Sequence, residues 1–207
     1  MEVAMKTVFV NPERCVGCKQ CEVACAVEHS RSKDLYQAVF ETPKPRPRIH
    51  VAPGIYMNTA FPNKCRHCDP APCMLICPTG AIAREGDIVL IKGDRCITCA
   101  MCAMVCPFDV IRYYEAPVLM GERVVALKCD HCIDRQRQGR IPACVEVCKV
   151  GALQFGEVNE LVREASARLA RVVSIAVGAI PTEAPRLPES IEAWRAWGKQ
   201  VAEIQEK

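Results

Sequence analysis

The sequence predicts an α+β protein made of two similar cysteine-rich modules, one inserted in the other, with a helical extension at the C-terminus. The first observation behind this fold class is that 16 of the 207 residues are cysteine, and that they form four sets of four. The second is that the sets alternate between two types along the chain, which indicates an internal duplication. Half of the residues are hydrophobic, so a chain of this length can fold one or two domains around a buried core.

The two types of set differ in the spacing of their cysteines. Sets one and three have the compact spacing C-x2-C-x2-C-x3-C. Sets two and four have a lysine directly before their first cysteine, a histidine before their second and a longer gap before their third. A duplicated unit of one compact and one stretched set explains this order. Set one consists of Cys15, Cys18, Cys21 and Cys25, set two of Cys65, Cys68, Cys73 and Cys77, set three of Cys96, Cys99, Cys102 and Cys106, and set four of Cys129, Cys132, Cys144 and Cys148.

Linker lengths predict which sets lie together. Sets two and three are separated by residues 78–95, where two short apolar runs flank the turn Glu85–Asp87, the pattern of a β-hairpin. Sets one and two are separated by residues 26–64, a longer stretch with five prolines that we expect to cross the molecule in extended form. Sets two and three therefore form an inner unit, and sets one and four meet around it, with residues 7–10 and 152–155 as partner strands.

The part of the chain after residue 156 carries helical patterns instead of cysteines. We expect a first helix from Glu157 to about Ala170, and a second helix opening at Pro188–Glu189, where proline suits the first helical turn. The predicted segments are residues 1–60 (first half of the outer module and the proline-rich crossing), 61–118 (inserted module), 119–156 (second half of the outer module) and 157–207 (helical extension).

The compact sets carry the most specific chemical signal. In two-cluster bacterial ferredoxins, cysteines with this spacing bind [4Fe-4S] clusters, and the fourth cysteine ligates the other cluster. We therefore expect four [4Fe-4S] clusters held by all sixteen cysteines, in two bacterial-ferredoxin-like modules. Zinc is the competing metal, but its structural sites pair two short cysteine hooks across a longer gap, and the third cysteine of a compact set follows too soon. His67 and His131 lie inside the stretched loops and are expected to tune a cluster rather than ligate it.

Exchange of the last cysteine between the two sets of a module predicts four ligand sets, which we name sites 1 to 4. The alternative is that sets one and two, and sets three and four, pair in order along the chain, in which case Cys148 would join Cys96, Cys99 and Cys102. In the exchanged arrangement, site 1 combines Cys15, Cys18 and Cys21 with Cys148, site 2 combines Cys65, Cys68 and Cys73 with Cys106, site 3 combines Cys96, Cys99 and Cys102 with Cys77, and site 4 combines Cys129, Cys132 and Cys144 with Cys25.

Charge and sequence motifs argue against several other functions. The net charge of +3 is too small to indicate a nucleic-acid-binding protein, and four anionic clusters would change it to roughly −5. No G-x-G-x-x-G motif follows a predicted strand, so we expect no nucleotide or flavin site. The sequence shows neither a signal peptide nor an apolar run of about 20 residues, which predicts a cytoplasmic protein without a transmembrane segment. Reduced thiols in that compartment favour metal ligation over disulfides.

Several segments resemble a known family. Residues 65–82, which include CRHCDPAPC and CPTGAI, and residues 129–144 resemble the four-cluster ferredoxin-like electron-transfer subunits. That family serves molybdopterin oxidoreductases, formate–hydrogen systems and carbon monoxide dehydrogenase, and the resemblance covers residues 7 to about 156. Within the family, residues 25–35 and 43–51 are most similar to the iron–sulfur protein that accompanies nickel–iron carbon monoxide dehydrogenase.

The resemblance implies an electron carrier, not an enzyme acting alone. Its donor would be a carbon monoxide dehydrogenase, and its acceptor a hydrogenase, a ferredoxin or a flavoprotein oxidoreductase in anaerobic metabolism. The alternative is an electron-transfer subunit of a molybdopterin oxidoreductase or of a formate–hydrogen system. In either case the protein would be cytoplasmic, or would be held at the inner face of the membrane through its partner.

Overall fold

The computed structural model describes residues 6–54, 59–119 and 121–177. Over these residues the chain forms eight β-strands in four antiparallel pairs and seven α-helices, most of them short, in agreement with a mixed helix and strand fold. The strands are β1 (Lys6–Val10), β2 (His50–Pro53), β3 (Ala60–Asn63), β4 (Ile82–Glu85), β5 (Ile88–Ile91), β6 (Arg112–Val118), β7 (Gly121–Leu127) and β8 (Leu153–Glu157). The helices are α1 (Gln20–Glu28), α2 (Leu35–Ala38), α3 (Pro72–Leu75), α4 (Met101–Met104), α5 (Ile133–Arg137), α6 (Ala143–Glu146) and α7 (Val158–Ala176).

Strands β1 and β8 bring distant parts of the chain side by side. They pair in antiparallel register with Val10 opposite Leu153, which confirms the strand partners expected from the sequence. The pairing is extended by Asn11, whose backbone N–H donates to the Ala152 carbonyl and whose side-chain amide donates to Gln154, each over 2.8 Å. Because β1 precedes set one and β8 follows set four, these two sets lie next to each other.

Strands β4 and β5 form the hairpin predicted between sets two and three. Ile82 lies opposite Ile91, and Glu85 lies opposite Ile88 at the turn. Gly86 at the tip has φ +57°, a left-handed conformation that glycine adopts without steric cost. The short hairpin holds sets two and three close together.

The crossing between sets one and two is less extended than the prolines suggested. It contains helix α2, whose first turn is capped by the Asp34 carboxylate accepting from the Gln37 N–H over 3.0 Å. It also contains the paired strands β2 and β3, with Val51 buried. The prediction of an extended crossing is therefore wrong at α2, where the Asp34 cap stabilises a helical turn ahead of the first proline, but it is confirmed at β2 and β3, whose backbone is extended.

Strands β6 and β7 form a longer hairpin that was not predicted from the sequence. Their pairing runs from Arg112 opposite Leu127 to Val118 opposite Gly121. Most side chains of this hairpin are exposed or half-buried, so the sequence has no clear alternation of buried and exposed positions. The predicted division between residues 118 and 119 falls at the turn of this hairpin, and the four predicted segments stay a prediction.

Two clusters of buried side chains form the core. Helix α1 packs against α6, and α3 packs against α4, so set one lies beside set four and set two beside set three. One cluster consists of Val8, Ile49, Val51, Ala60 and Leu153 with Cys21, Cys25 and Cys144. The other consists of Ala71, Ala81, Ile82, Val89, Val110, Ile111, Val125 and Ala126 with Cys65, Cys96, Cys102 and Cys129.

The chain divides into two compact units, Met1–Leu161 and Val162–Lys207. Helix α7 confirms the helix expected from residue 157, and it continues to Ala176. It begins in the first unit, where Leu161 is buried and packs over Gly156. The second predicted helix, at Pro188–Glu189, lies outside the described residues. Within the described ranges, no helix combines the length and the apolar character needed to cross a membrane.

Candidate metal centres

All sixteen cysteines lie within the described residues, and each carries a free thiol. Eight are buried and six are half-buried, whereas Cys18 and Cys99 are exposed. Clustered, reduced cysteines of this kind offer soft sulfur donors, which suit zinc and iron–sulfur clusters.

The structure brings together the four cysteines of site 2 and the four of site 3. Each group lines its own pocket and takes three cysteines from one set and the fourth from the other. Most of the remaining lining of both pockets is apolar, including Val89 and Val110 at site 2 and Ile82 and Ile91 at site 3. Such side chains keep water away from the sulfurs. The pocket at site 2 is lined by Cys65, Cys68, Cys73 and Cys106, and the pocket at site 3 by Cys77, Cys96, Cys99 and Cys102.

The cysteines of sets one and four also meet in two groups. A third pocket is lined by Cys15, Cys18, Cys21 and Cys148, the cysteines of site 1. The remaining four, those of site 4, are all buried and act on one another electrostatically; they are Cys25, Cys129, Cys132 and Cys144.

Burial keeps several of these thiols protonated when no metal is bound. It raises the pKa of Cys21 to about 11 and that of Cys132 to about 12. It also raises the pKa of Cys144 well above its ordinary value, and the neighbouring Cys129 adds to this effect. Metals bind the thiolate, so ligation at these sites releases protons and couples metal binding to folding.

Hydrogen-bond donors point at several of the sulfurs. In four places among the described residues a backbone N–H donates to a cysteine Sγ over 3.2–3.5 Å, and the Tyr113 hydroxyl lies 3.2 Å from Cys102 Sγ. Donors of this kind stabilise negative charge on sulfur and tune the reduction potential of a cluster. These backbone donors are Arg48 to Cys25, His67 to Cys65, Ala126 to Cys96 and His131 to Cys129.

Each cysteine loop bends in the same way at the residue before the second cysteine of its set. Gly17, His67, Thr98 and His131 have φ values of 69°, 53°, 59° and 55°, in the left-handed region. For the three residues other than glycine this conformation costs roughly 1–2 kcal/mol. Four repeats of one strained turn indicate that the loops are shaped by the need to converge their sulfurs. The sequence signalled this bend only at Gly17.

Asp130 ties set one to set four beside site 4. Its carboxylate accepts hydrogen bonds from the Arg48 guanidinium, from His29 Nε2 over 3.1 Å and from the Cys132 N–H over 2.9 Å. Burial alone would raise the pKa of Asp130, but the hydrogen bond from His29 and the charge of Arg48 hold it well below its usual range. His29, Asp130 and Cys132 offer donor atoms within 4.8 Å of one another, yet the carboxylate is already engaged, so the trio is a clamp and not a separate metal site.

The donor sets fit an iron–sulfur cluster at each site. Four cysteines lie together at each site, and two buried side-chain nitrogens of the described residues lack a hydrogen-bond partner. Within the described residues, the buried side-chain nitrogen and oxygen atoms without a hydrogen-bond partner are Arg48 Nε and His67 Nε2. Arg48 lies at site 4, where its backbone N–H donates to Cys25, and His67 lines site 2. Both atoms suit hydrogen bonding to sulfurs of a group that fills these sites.

Comparison with protein families identifies residues 56–158 as a 4Fe-4S dicluster domain. The matched range contains the cysteines of sets two, three and four. Set one, which the structure brings to set four, precedes it.

Comparison with individual proteins finds relatives along most of the chain. An iron-sulfur protein of Rhodospirillum rubrum is 38% identical over 170 residues, which cover 78% of this chain and 88% of the relative. The electron transport protein HydN of Escherichia coli K12 is 35% identical and covers 74% of this chain and 89% of its own length. One of the subunits of tetrathionate reductase from Salmonella typhimurium is 33% identical over 74% of this chain and 58% of the relative. Among solved structures, a chain of the benzoyl coenzyme A reductase complex BamBC with zinc covers 84% of this chain and 98% of its own, with 23% identity and a TM-score of 0.34, too low for any conclusion.

Proposed function

Because this chain belongs to the family of 4Fe-4S iron–sulfur electron-transport proteins, we propose that it relays electrons through four [4Fe-4S] clusters bound at sites 1 to 4. It is an electron carrier and does not itself catalyse a reaction. The observation that carries the proposal is that all sixteen free cysteines meet in four groups of four, each drawn from two sets.

The exchange of cysteines between sets gives each part of the chain a defined task. At site 1 the first three cysteines of set one are joined by Cys148, and at site 4 Cys25 joins the first three of set four. Each cluster, when bound, takes up and gives back one electron at a time. The loops hold the sulfurs in place, the apolar linings exclude water, and the N–H donors offset negative charge. In this proposal sets two and three form a module inserted into the module of sets one and four.

The exposure of the cysteines supports an order for the relay. Cys18 at site 1 and Cys99 at site 3 are exposed, whereas all four cysteines of site 4 are buried. Cys129 of site 4 and Cys65 of site 2 act on each other electrostatically, so these two sites are neighbours. We therefore propose the order site 1, site 4, site 2, site 3, with partners docking at the two outer ends.

Metal analysis tests the four-cluster proposal. Protein purified without oxygen should contain about sixteen iron and sixteen acid-labile sulfide per chain, four of each for every cubane cluster. Dithionite reduction should give electron paramagnetic resonance signals of reduced [4Fe-4S] clusters. Stoichiometric zinc with little iron would overturn the proposal, and so would about eight iron in a fully folded protein.

The resemblance of residues 25–35 and 43–51 supports a carbon monoxide dehydrogenase as the electron donor. The acceptor in this proposal is a hydrogenase, a ferredoxin or a flavoprotein oxidoreductase. The protein would act in the cytoplasm, either free or at the inner face of the membrane through that acceptor. Carbon monoxide should then reduce the clusters quickly when catalytic amounts of the dehydrogenase are present, and slowly when they are absent.

A second candidate partner is favoured by the names of two relatives. One belongs to tetrathionate reductase and another is the electron transport protein HydN, so an oxidoreductase of the molybdopterin or formate–hydrogen type fits these names as well. Fast reduction of the clusters by formate and a formate dehydrogenase, without any response to the carbon monoxide system, would select this alternative.

A further inference from the structure

Two lysines are buried between the cysteine loops of sets two and four. Lys64 is 0% exposed and Lys128 is 4% exposed, although lysine is among the residue types that are almost never fully buried without a partner. Each precedes the first cysteine of its set, so the duplication has placed them at equivalent positions. Because the two amines are buried, we expect negative charge close to them that compensates their positive charge.

Each lysine reaches across to the other set. Lys64 Nζ donates to His131 Nε2 over 3.0 Å, inside the loop of set four. Lys128 Nζ donates to the carbonyl of Val89, whose N–H in turn donates to His67 Nδ1 inside the loop of set two, over 3.0 Å. The rings of His67 and His131 are in contact, with 4.1 Å between their centroids. These four side chains form one polar cluster, which we name the lysine–histidine bridge.

The bridge lies between the two inner sites. Lys64 interacts electrostatically with Cys129 and Cys144 of site 4, and Lys128 lines site 2 and interacts with Cys73. Within the described residues, neither lysine takes part in an ion pair with a carboxylate. Lys64 is next to cysteine sulfurs, a carbonyl and an imidazole, and the guanidinium of Arg66 also acts on it; the negative partners that both amines share are cysteine sulfurs.

A buried cation without a counter-charge is costly, and proteins pair such charges. At these positions the available negative charge is that of the thiolates and of the clusters that they bind. The two anionic inner sites and the two lysines thus compensate one another. A positive charge close to a cluster favours its reduced, more negative form.

His67 adds a hydrogen bond that also favours the reduced form of a cluster. Its Nδ1 accepts from the Val89 N–H, so the neutral ring carries its proton on Nε2. That Nε2 is buried, has no partner among the described residues, and belongs to a side chain that lines site 2. In this position the Nε2–H can donate a hydrogen bond to a sulfur of site 2.

We propose that the lysine–histidine bridge raises the reduction potentials of the two inner clusters, with Lys64 as the counter-charge of site 4, Lys128 as that of site 2, and His67 Nε2 as a hydrogen-bond donor to a sulfur of site 2. This inference rests on the proposed function.

The test is a potentiometric titration of the full-length, cluster-loaded protein, followed by electron paramagnetic resonance. Lys64→Met and Lys128→Met, which keep an unbranched side chain one atom shorter and remove its charge, should each lower the midpoint potential of a different one of the four components. The double variant should lower both. Lys92→Met is the matched control, since Lys92 is exposed and contributes no charge to the bridge. Unchanged potentials in both single variants, with full iron load, would overturn the proposal.

A second pair of variants decides the case if the lysine variants lose their clusters. Neither leucine nor glutamine favours the φ of 53° at position 67, so the two variants share the same backbone strain. Only glutamine keeps an N–H donor close to the position that Nε2 of His67 occupies. The leucine variant should lower one potential and lose one exchangeable-proton coupling in electron–nuclear double resonance, and the glutamine variant should restore both. Identical potentials and couplings in the two variants would overturn the proposal. Failure of the proposed function would show differently, as a wild-type protein without four reducible clusters.

Discussion

Cys148 is grouped with cysteines that lie far from it in the sequence. Cys148 ends the last set, yet it lines the same pocket as Cys15, Cys18 and Cys21. Metal binding at this site would therefore close a very long loop and link the beginning of the chain to its end. Replacing Cys148 is therefore expected to affect the cluster held by Cys15, Cys18 and Cys21, and not a cluster held by its neighbours in the sequence.

We expect Cys148→Ser to affect the cluster of site 1 and to leave that of site 3 intact. Serine removes one of four sulfur ligands, so the iron content should fall by up to one cluster, or the signal of one reduced cluster should change. The companion variant Cys106→Ser should affect site 2 instead. Both are read by iron analysis together with electron paramagnetic resonance of the dithionite-reduced proteins.

Pairing of the sets in order along the chain predicts a different result. Under that alternative Cys148→Ser would disturb the cluster held by Cys96, Cys99 and Cys102. The two sites are told apart by combining Cys148→Ser with Cys99→Ser. Loss of two clusters supports the exchanged arrangement, whereas loss of the same single cluster in both single variants and in the double variant supports pairing in order.

At the scale of helices, Arg135 connects three elements around site 4. From α5 its guanidinium donates to Glu28 of α1 over 2.7 Å and to Glu146 of α6 over 2.5 Å, and its Nε donates to the Ile141 carbonyl. Burial would raise the pKa of Glu28, but the hydrogen bond and charge of Arg135 bring it below its ordinary value. The Arg135 side chain is only 6% exposed, so this pair is shielded from solvent.

We expect Arg135→Met to destabilise the protein by about 1–3 kcal/mol, because it leaves the half-buried carboxylate of Glu28 with only the exposed Lys33, 3.4 Å away, as a partner. Arg137→Met on the same helix is the control. Its ion pairs with Asp134 and Glu85 are exposed, and such pairs contribute about 0–1 kcal/mol. The measurement is anaerobic guanidinium unfolding followed by the loss of visible cluster absorption. Equal midpoints for the two variants would contradict the structural role of Arg135.

The elements that could be predicted from the sequence are those with a local sequence pattern. The β4–β5 hairpin was predicted because Gly86 and its neighbours mark a turn between two apolar runs, and β1 and β8 because they flank the outermost sets. The β6–β7 hairpin was missed because its side chains are mostly exposed and carry no alternation. The bond between His29 and Asp130 was missed because 101 residues separate them, and no local pattern encodes such a contact.

At the scale of the whole molecule, the two compact sets occupy equivalent positions at the two ends of the proposed relay. Val16 follows the first cysteine of set one, and Ile97 follows the first cysteine of set three. Both line the pocket of an outer site, and they are 63% and 59% exposed. In the proposed order, in which all four cysteines of site 4 are buried, donor and acceptor would approach these two surfaces.

The last prediction uses this equivalence. Val16→Glu and Ile97→Glu each add a negative charge at one end, where a partner must come close to an anionic cluster. If the relay runs from site 1 to site 3, one variant should slow reduction by the donor about tenfold and the other should slow oxidation by the acceptor about tenfold, since a loss of about 1.4 kcal/mol in association is a tenfold change. Each variant is the control for the other, and stopped-flow spectroscopy with the separate partners measures both rates. If both variants slow electron transfer with the same partner and leave the rate with the other unchanged, the two ends do not serve different partners. The proposed order of sites is then wrong.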